Sequence, residues 1–312
     1  VSVRAAVDIG SNSVRLLVVD ADGVEQAREQ IVTRLAAGRL EATADALRLL
    51  AGRCDELGVG PGARRVTATA AVRDAADRPA MVRTLSEAIG APVVVLPAAS
   101  EGRLAFAGAT DGLDARHDEW YEPAWDVVVD IGGGSTEFTV GRPGEEPLGT
   151  WSVPIGCVRI TETFLHGDPP TAEELSQAIS VIDAHLDDVD RELPAVREAT
   201  RMVGVAGTIT TVAAVELGRF VRDEIHRMWL TRAAAEDVFR TVATETAADR
   251  AHNPGLHPDR VATIVGGAAI LVAVMRHYGV EGLLVSESDS LDALAALDDA
   301  VWARLGPAGP AD

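Results

Sequence analysis

Two short segments constrain this chain more than anything else in it. Arg4–Ile9 reads as an apolar strand, Gly10-Ser11-Asn12-Ser13 as a turn, and Val14–Asp20 as a second apolar, β-branched strand. About a domain later the pattern restarts. Asp126–Ile131 reads as a strand, Gly132-Gly133-Gly134-Ser135 as a turn, and Thr136–Val140 as a strand. Asp8-Ile9-Gly10-Ser11 and Asp130-Ile131-Gly132-Gly133 are two copies of one unit, and such a repeat predicts duplicated domains facing each other. A strand–glycine turn–strand hairpin also differs from the strand–loop–helix that opens a dinucleotide fold.

The remaining pattern alternates strands with helices. Helical spacing runs over Leu40–Leu57, Pro79–Ile89, Ser100–Ala107, Thr171–Leu193, Thr210–Leu217, Arg232–Ala248, Arg260–Tyr278 and Leu291–Arg304. Short apolar strands are predicted at Arg65–Ala70, Val93–Leu96, Val203–Val205 and Val280–Val285. The class is therefore α/β. A length of 312 residues suits two domains of ~100–200 residues each. Thr110–Pro123 is polar, acidic and patternless, which puts a boundary there: residues 1–122 form the first domain and residues 123–288 the second.

Two features of composition exclude whole classes. The chain has no lysine; all 28 basic residues are arginine. A Walker A loop and Schiff-base chemistry both need a lysine, so both are excluded. Any cationic contact to phosphate comes from Arg, from a metal or from backbone N–H groups. The net charge of −20 excludes a broad nucleic-acid surface. No stretch reaches the ~18 apolar residues of a membrane span, and Val1–Gly10 lacks the charged start and apolar core of a signal peptide. Cys54 and Cys157 form no CxxC or ligand cluster, so two buried thiols in a reduced cytoplasm are expected.

The glycine turns point to phosphate. An anion needs several converging N–H donors, and successive glycines expose them and allow positive φ; Ser and Thr hydroxyls add further donors. The residues so placed are Gly10, Ser11, Asn12 and Ser13 in the first turn, and Gly133, Gly134, Ser135 and Thr136 in the second. An Asp at the end of the preceding strand can hold Mg²⁺, which takes few protein ligands. Asp8 and Asp130 occupy that position, and Glu137 follows the second turn closely enough to share its metal. Gly207 and Thr208 form a third site ahead of a helix, whose N-terminus favours anions. An ordinary tight connection is the alternative reading at each turn taken singly.

These segments are specific enough to carry a resemblance. Val7–Leu17 closely resembles the first phosphate motif of the exopolyphosphatase / guanosine pentaphosphate phosphohydrolase (Ppx/GppA) family, and Val129–Glu137 is similar to its second. Thr67–Ala75 looks like the family's ATSAVRDA segment, whose Arg, here Arg73, lies at the phosphate site. Ile155-Gly156-Cys157-Val158-Arg159 and Val205-Ala206-Gly207-Thr208 also fit, and the likeness runs over roughly residues 5–297. It implies two ribonuclease-H-like domains of the actin-like ATPase superfamily around an interdomain phosphate cleft. A last helix, about residues 289–305, would pack back on the first domain. It also implies Mg²⁺, charge neutralisation by Arg15 and Arg73, a catalytic glutamate, and a homodimer.

In the family the glutamate lies in a GxEEAR-like segment. Here that segment reads Ala98-Ala99-Ser100-Glu101-Gly102-Arg103-Leu104, which leaves Glu101 as the base, with Ser100 and Gly102 as departures. Arg34–Leu40 is shorter than the usual loop after the third strand, and Ser286–Asp292 replaces an SDxxLREG-like segment, as in a short, two-domain, actinobacterial-type branch. The expected activity is Mg²⁺-dependent removal of a terminal phosphate from polyphosphate or guanosine pentaphosphate. A non-catalytic phosphate or nucleotide sensor and an actin-like small-molecule kinase are the alternatives.

Overall fold

Each hairpin predicted above belongs to a sheet of its own. The protein is described by a computed structural model covering residues 3–113 and 125–305. Its contacts divide it into two units, Val1–Leu104 with Ser290–Asp312, and Ala105–Asp289. The boundary read from the sequence, between 122 and 123, lies outside the described residues. By contacts the division falls inside one continuous helix, Ala98–Thr110, which is longer than the Ser100–Ala107 segment read from spacing.

The first unit holds five strands: β1 (Arg4–Ile9), β2 (Ser13–Val19), β3 (Glu25–Val32), β4 (Arg64–Ala68) and β5 (Val93–Val95). Their order is β3-β2-β1-β4-β5, with β1, β2 and β3 antiparallel and β4 and β5 parallel to β1. Alternation sends Val7 and Ile9 to one face, against Leu47, Leu50, Leu85 and Ile89 of the helices Leu40–Glu56 and Arg78–Ile89. Ala6, Leu17 and Val19 face the other way, against Leu291 and Leu294 of the returning helix Ser290–Ala296. Cover on both faces explains why β1 and β2 read as apolar runs. The returning segment is two helices, Ser290–Ala296 and Asp299–Leu305, where spacing predicted one. The break is held by buried Arg65, which donates to the carbonyls of Leu294 (3.1 Å) and Leu297 (2.6 Å).

The second unit repeats the plan. Its strands are β6 (Asp126–Ile131), β7 (Thr136–Gly141), β8 (Gly149–Val153), β9 (Arg201–Val205), β10 (Trp229–Thr231) and β11 (Gly282–Val285). The order is β8-β7-β6-β9-β11-β10, so the first five match the five of the first unit, and β10 adds an antiparallel edge. Helix Ile264–His277 is apolar all round and buried from Ile264 to Met275, as a core helix must be. Helix Ala172–Glu192 buries only Ala178, Ile182, Leu186 and Val189, which leaves its acidic residues mostly on the solvated side. Both cysteines are buried and free. Among the described residues no helix is long and apolar enough to cross a membrane.

Candidate active site

In each unit the chemistry-bearing residues gather where parallel strands end, the position at which α/β sheets bind ligands. In the first unit these ends are β1, β4 and β5. The loop after β1 closes with Gly10 N–H on the Ser13 carbonyl at 3.0 Å. The register pairs Asp8 with Arg15 across the hairpin, and Arg15 donates to the Asp8 carboxylate at 2.8 Å and 3.2 Å. Arg15 also reaches Ser290 Oγ at 3.3 Å. Asp8, expected as a metal ligand, is therefore buried with a protein cation already on it.

The same loop is clamped from behind. Thr33 N–H and Arg34 N–H both donate to the Asn12 carbonyl at 2.9 Å, and Ala36 N–H donates to that of Ser11 at 3.0 Å. These bonds turn the Ser11 and Asn12 carbonyls inward, which suits a loop whose outer face offers donors. Ser11 and Asn12 are themselves buried.

Arg73 and Glu101, predicted from separate motifs, meet. Arg73 lies in the turn after β4, and Glu101 in the first turn of helix Ala98–Thr110 after β5. One Arg73 nitrogen donates both to Glu101 Oε2 and to the Leu96 carbonyl, each at 3.1 Å. The ion pair is mostly buried, with 22% and 14% of the two side chains exposed. Arg73 thus positions the carboxylate, a role the sequence did not suggest for it.

In the second unit the loop after β6 closes in the same way, Gly132 N–H to the Ser135 carbonyl at 3.0 Å. Here the register places Asp130 opposite Glu137 and Glu137 opposite Ser152. Where the first hairpin pairs an acid with a base, the second sets two carboxylates side by side. Like charges directly opposite each other repel. Glu137 is buried, and its Oε1 accepts from Ser152 Oγ at 2.7 Å. Two adjacent carboxylates of this kind could serve as ligands of a hard divalent cation.

The N-terminus of helix Cys157–Phe164, which spacing did not reveal, holds this second loop. Cys157 N–H donates to the Gly132 carbonyl (2.9 Å), and Val158 and Arg159 N–H groups donate to that of Gly133 (3.0 and 3.2 Å). Arg159 Nε bonds the Gly134 carbonyl at 3.0 Å. Gly156 lies flat against the loop, since a Cβ there would stand 2.6 Å from Gly134 N. Thr136, expected to bind phosphate, is fully buried and donates its hydroxyl to the Ile155 carbonyl at 2.5 Å. It anchors the loop rather than offering a donor.

Two further expectations change. Gly10 and Gly132 do not use the positive φ that glycine allows; a Cβ on each would stand 3.3 Å and 3.1 Å from the Ser13 and Ser135 carbonyl oxygens, a tight approach that glycine relieves. At the third site, Thr208 is buried against Gly267 of the core helix. Gly207 lies under the guanidinium of Arg260, which would have to swing aside for any side chain placed there. Ala206, just ahead of it, holds φ 68°, a strained left-handed conformation of the sort found at functional turns. Arg260 is the residue the motif reading assigned no role.

The profile of the Ppx/GppA phosphatase family matches residues 17–289. Exopolyphosphatase 2 of Mycobacterium tuberculosis is 34% identical over 317 residues, covering 93% of this chain and 97% of the relative. The crystal structure of an exopolyphosphatase-like protein superposes with a TM-score of 0.86 at 30% identity, covering 95% of this chain and 98% of the other. The Ppx/GppA phosphatase of Aquifex aeolicus superposes with a TM-score of 0.73 at 27% identity, covering 95% and 99%. The family match spans most of the chain, the 34% identity covers nearly the whole of both proteins, and the chain belongs to the Ppx/GppA phosphatase family.

Proposed function

We propose that the chain removes terminal phosphate from polyphosphate in a Mg²⁺-dependent hydrolysis, with guanosine pentaphosphate as the second substrate to compare. The observation that carries this reading is the Asp130–Glu137 pair beneath the Gly132–Ser135 loop. It combines a cation's donor set with an anion's loop, in a family whose relatives are named exopolyphosphatases.

Asp130 and Glu137 would hold Mg²⁺, and Asp8, already paired with Arg15, would be at most a minor contributor. When bound, the ion supplies charge neutralisation at the transferred phosphoryl group. The loops after β1 and β6 bind phosphate oxygens through backbone N–H groups and the hydroxyls of Ser11, Ser13 and Ser135. Glu101, aimed by Arg73, orients the attacking water and takes its proton. A strong base is not required, because the transition state is loose and positioning dominates. With a net charge of −20, long polyanions are repelled at a distance, so short chains are the favoured substrates.

The test is phosphate release with Mg²⁺ from short polyphosphate, long polyphosphate and guanosine pentaphosphate, with Glu101→Gln in parallel. The expected result is release from short polyphosphate that Glu101→Gln abolishes while binding survives. Near-normal turnover in Glu101→Gln would remove Glu101 from the mechanism. Binding without release by the unaltered protein would turn the reading into a phosphate sensor.

A further inference from the structure

We infer that Thr33 and Arg34 form a second phosphate subsite beside the first loop, which holds a phosphoryl unit of the chain other than the one being removed. The inference deepens the function proposed above and rests on it.

The argument starts from a strained residue. Arg34 adopts φ 57°, ψ 50°, the left-handed region. A non-glycine residue there is strained, because its Cβ crowds the following carbonyl oxygen. Glycine would remove that strain, so a side chain kept at such a position calls for a use. The backbone that imposes the strain is the clamp on the phosphate loop: Thr33 and Arg34 N–H on the Asn12 carbonyl, Ala36 N–H on the Ser11 carbonyl. Arg34 is therefore fixed next to a loop already read as an anion site, and not merely near it in sequence.

Its guanidinium is exposed, and among the described residues it has no hydrogen-bond or ion-pair partner. Several exposed arginines of the described residues share that state, Arg83 among them, so it is the position of Arg34 beside the loop that distinguishes it. A second observation is independent of the first. Asn12 Nδ2 and Thr33 Oγ1, in the two segments joined by the Thr33 N–H to Asn12 carbonyl bond, are both buried and both lack a partner. Their residues are 7% and 4% exposed. Buried polar atoms in native proteins are nearly always partnered, so these two neighbouring groups are available to the oxygens of a ligand. An amide donor, a hydroxyl and a planar guanidinium together match the oxygens of a phosphoryl group. Arg is the residue for this in a chain without lysine, because its fork can engage two phosphate oxygens at once.

The experiment compares Arg34→Gln with Arg83→Gln. Arg83 is an exposed arginine of the helix Arg78–Ile89 and undergoes the same charge change. Tripolyphosphate is the probe, in steady-state kinetics with Mg²⁺ and in equilibrium binding. The expected result for Arg34→Gln is KM raised about tenfold, or about 1.4 kcal/mol, with kcat within about twofold. Binding should weaken by the same factor, Arg34→Lys should recover part of it, and Arg83→Gln should leave both unchanged. Arg34→Gly, which relieves the backbone strain, should be at least as stable as the parent and bind as poorly as Arg34→Gln. Equal effects of Arg34→Gln and Arg83→Gln would overturn the inference in favour of general surface charge. So would an unchanged KM, or a loss in kcat alone. If the parent binds tripolyphosphate but releases no phosphate, the hydrolase reading fails, and the subsite is judged by the binding arm.

Discussion

Gly156→Ala is the substitution whose effect the structure determines most directly. Gly156 has φ −141° and ψ 161°, extended backbone open to any residue, so alanine meets no conformational penalty. The whole effect is steric. A Cβ would stand 2.5 Å from Gly133 C and 2.6 Å from Gly134 N, where ordinary contact begins at 3.4 Å. The obstacle is backbone on both sides and cannot rotate away. With the Gly133 carbonyl oxygen nearest, at 2.4 Å, either the Gly132–Ser135 loop or the Ile155–Cys157 turn must yield by about 1.0 Å to reach 3.4 Å. That movement strains the bonds from Cys157 and Val158 to the loop carbonyls. Overpacking of this kind costs roughly 1–3 kcal/mol, so a Tm lower by a few degrees is expected. The catalytic effect is larger than the stability effect, because displacing a binding loop by ~1 Å costs on the order of 100-fold in rate. Phosphate release from short polyphosphate should therefore fall about 100-fold, with the circular dichroism spectrum unchanged. Gly52→Ala is the control: it lies in helix Leu40–Glu56 with nothing within 4 Å of its Cβ, and should keep full activity. A folded Gly156→Ala protein within threefold of parental activity would refute the claim that this turn sets the loop's position.

Two further predictions concern charge. Asp130→Asn and Glu137→Gln should each raise the Mg²⁺ concentration for half-maximal activity by tenfold or more and weaken Mg²⁺ binding by calorimetry; unchanged metal dependence in both would place the ion elsewhere. Glu174 closes the N-terminus of helix Ala172–Glu192, accepting from the N–H groups of Thr171 (2.7 Å), His166 (3.0 Å) and Gly167 (3.0 Å). The Thr171 amide above all, with those of His166 and Gly167, holds its carboxyl below the usual range. A depressed folded pKa stabilises above the unfolded value near ~4.3, and this is lost as pH falls through the folded value. The Tm gap between the parent and Glu174→Gln should be full at neutral pH and shrink below about pH 4; a gap constant from pH 3 to 7 would contradict the assignment.

How much of this was legible beforehand varies with the physics involved. The two hairpins were, because alternation and glycine are local signals: the predicted Arg4–Ile9 and Asp126–Ile131 are the observed strands. Three strands were not. β3 reads EQAREQIV, a largely polar strand with no buried residue, at the edge of its sheet; β8 is also an edge-proximal, half-exposed strand, and β10 has three residues. Such strands exist because a neighbour offers hydrogen bonds, not because their own pattern demands it. The break in the returning segment after Ala296 depends on Arg65, more than 200 positions away in the chain, and no local period encodes it.

The sequence by itself determined the α/β class, the duplication, the absence of lysine chemistry and most of the residues of the candidate site. These follow from residue type and spacing, which act within a few positions. Only the tertiary structure decided how those residues divide their work. Asp8 and Asp130 are equivalent in the repeat, yet Arg15 faces one and Glu137 the other, so only the second offers paired carboxylates. Thr136 and Ser135 are neighbours, yet Thr136 is turned inward onto Ile155 and fully buried. Arg73 was expected on phosphate and is found aiming Glu101. The reason is common to all three. A side chain's role depends on which face of its strand or turn it occupies and on what packs there, whether a hairpin partner seven positions on, as for Asp8 and Asp130, or a segment further along the chain, as for Thr136 and Arg73.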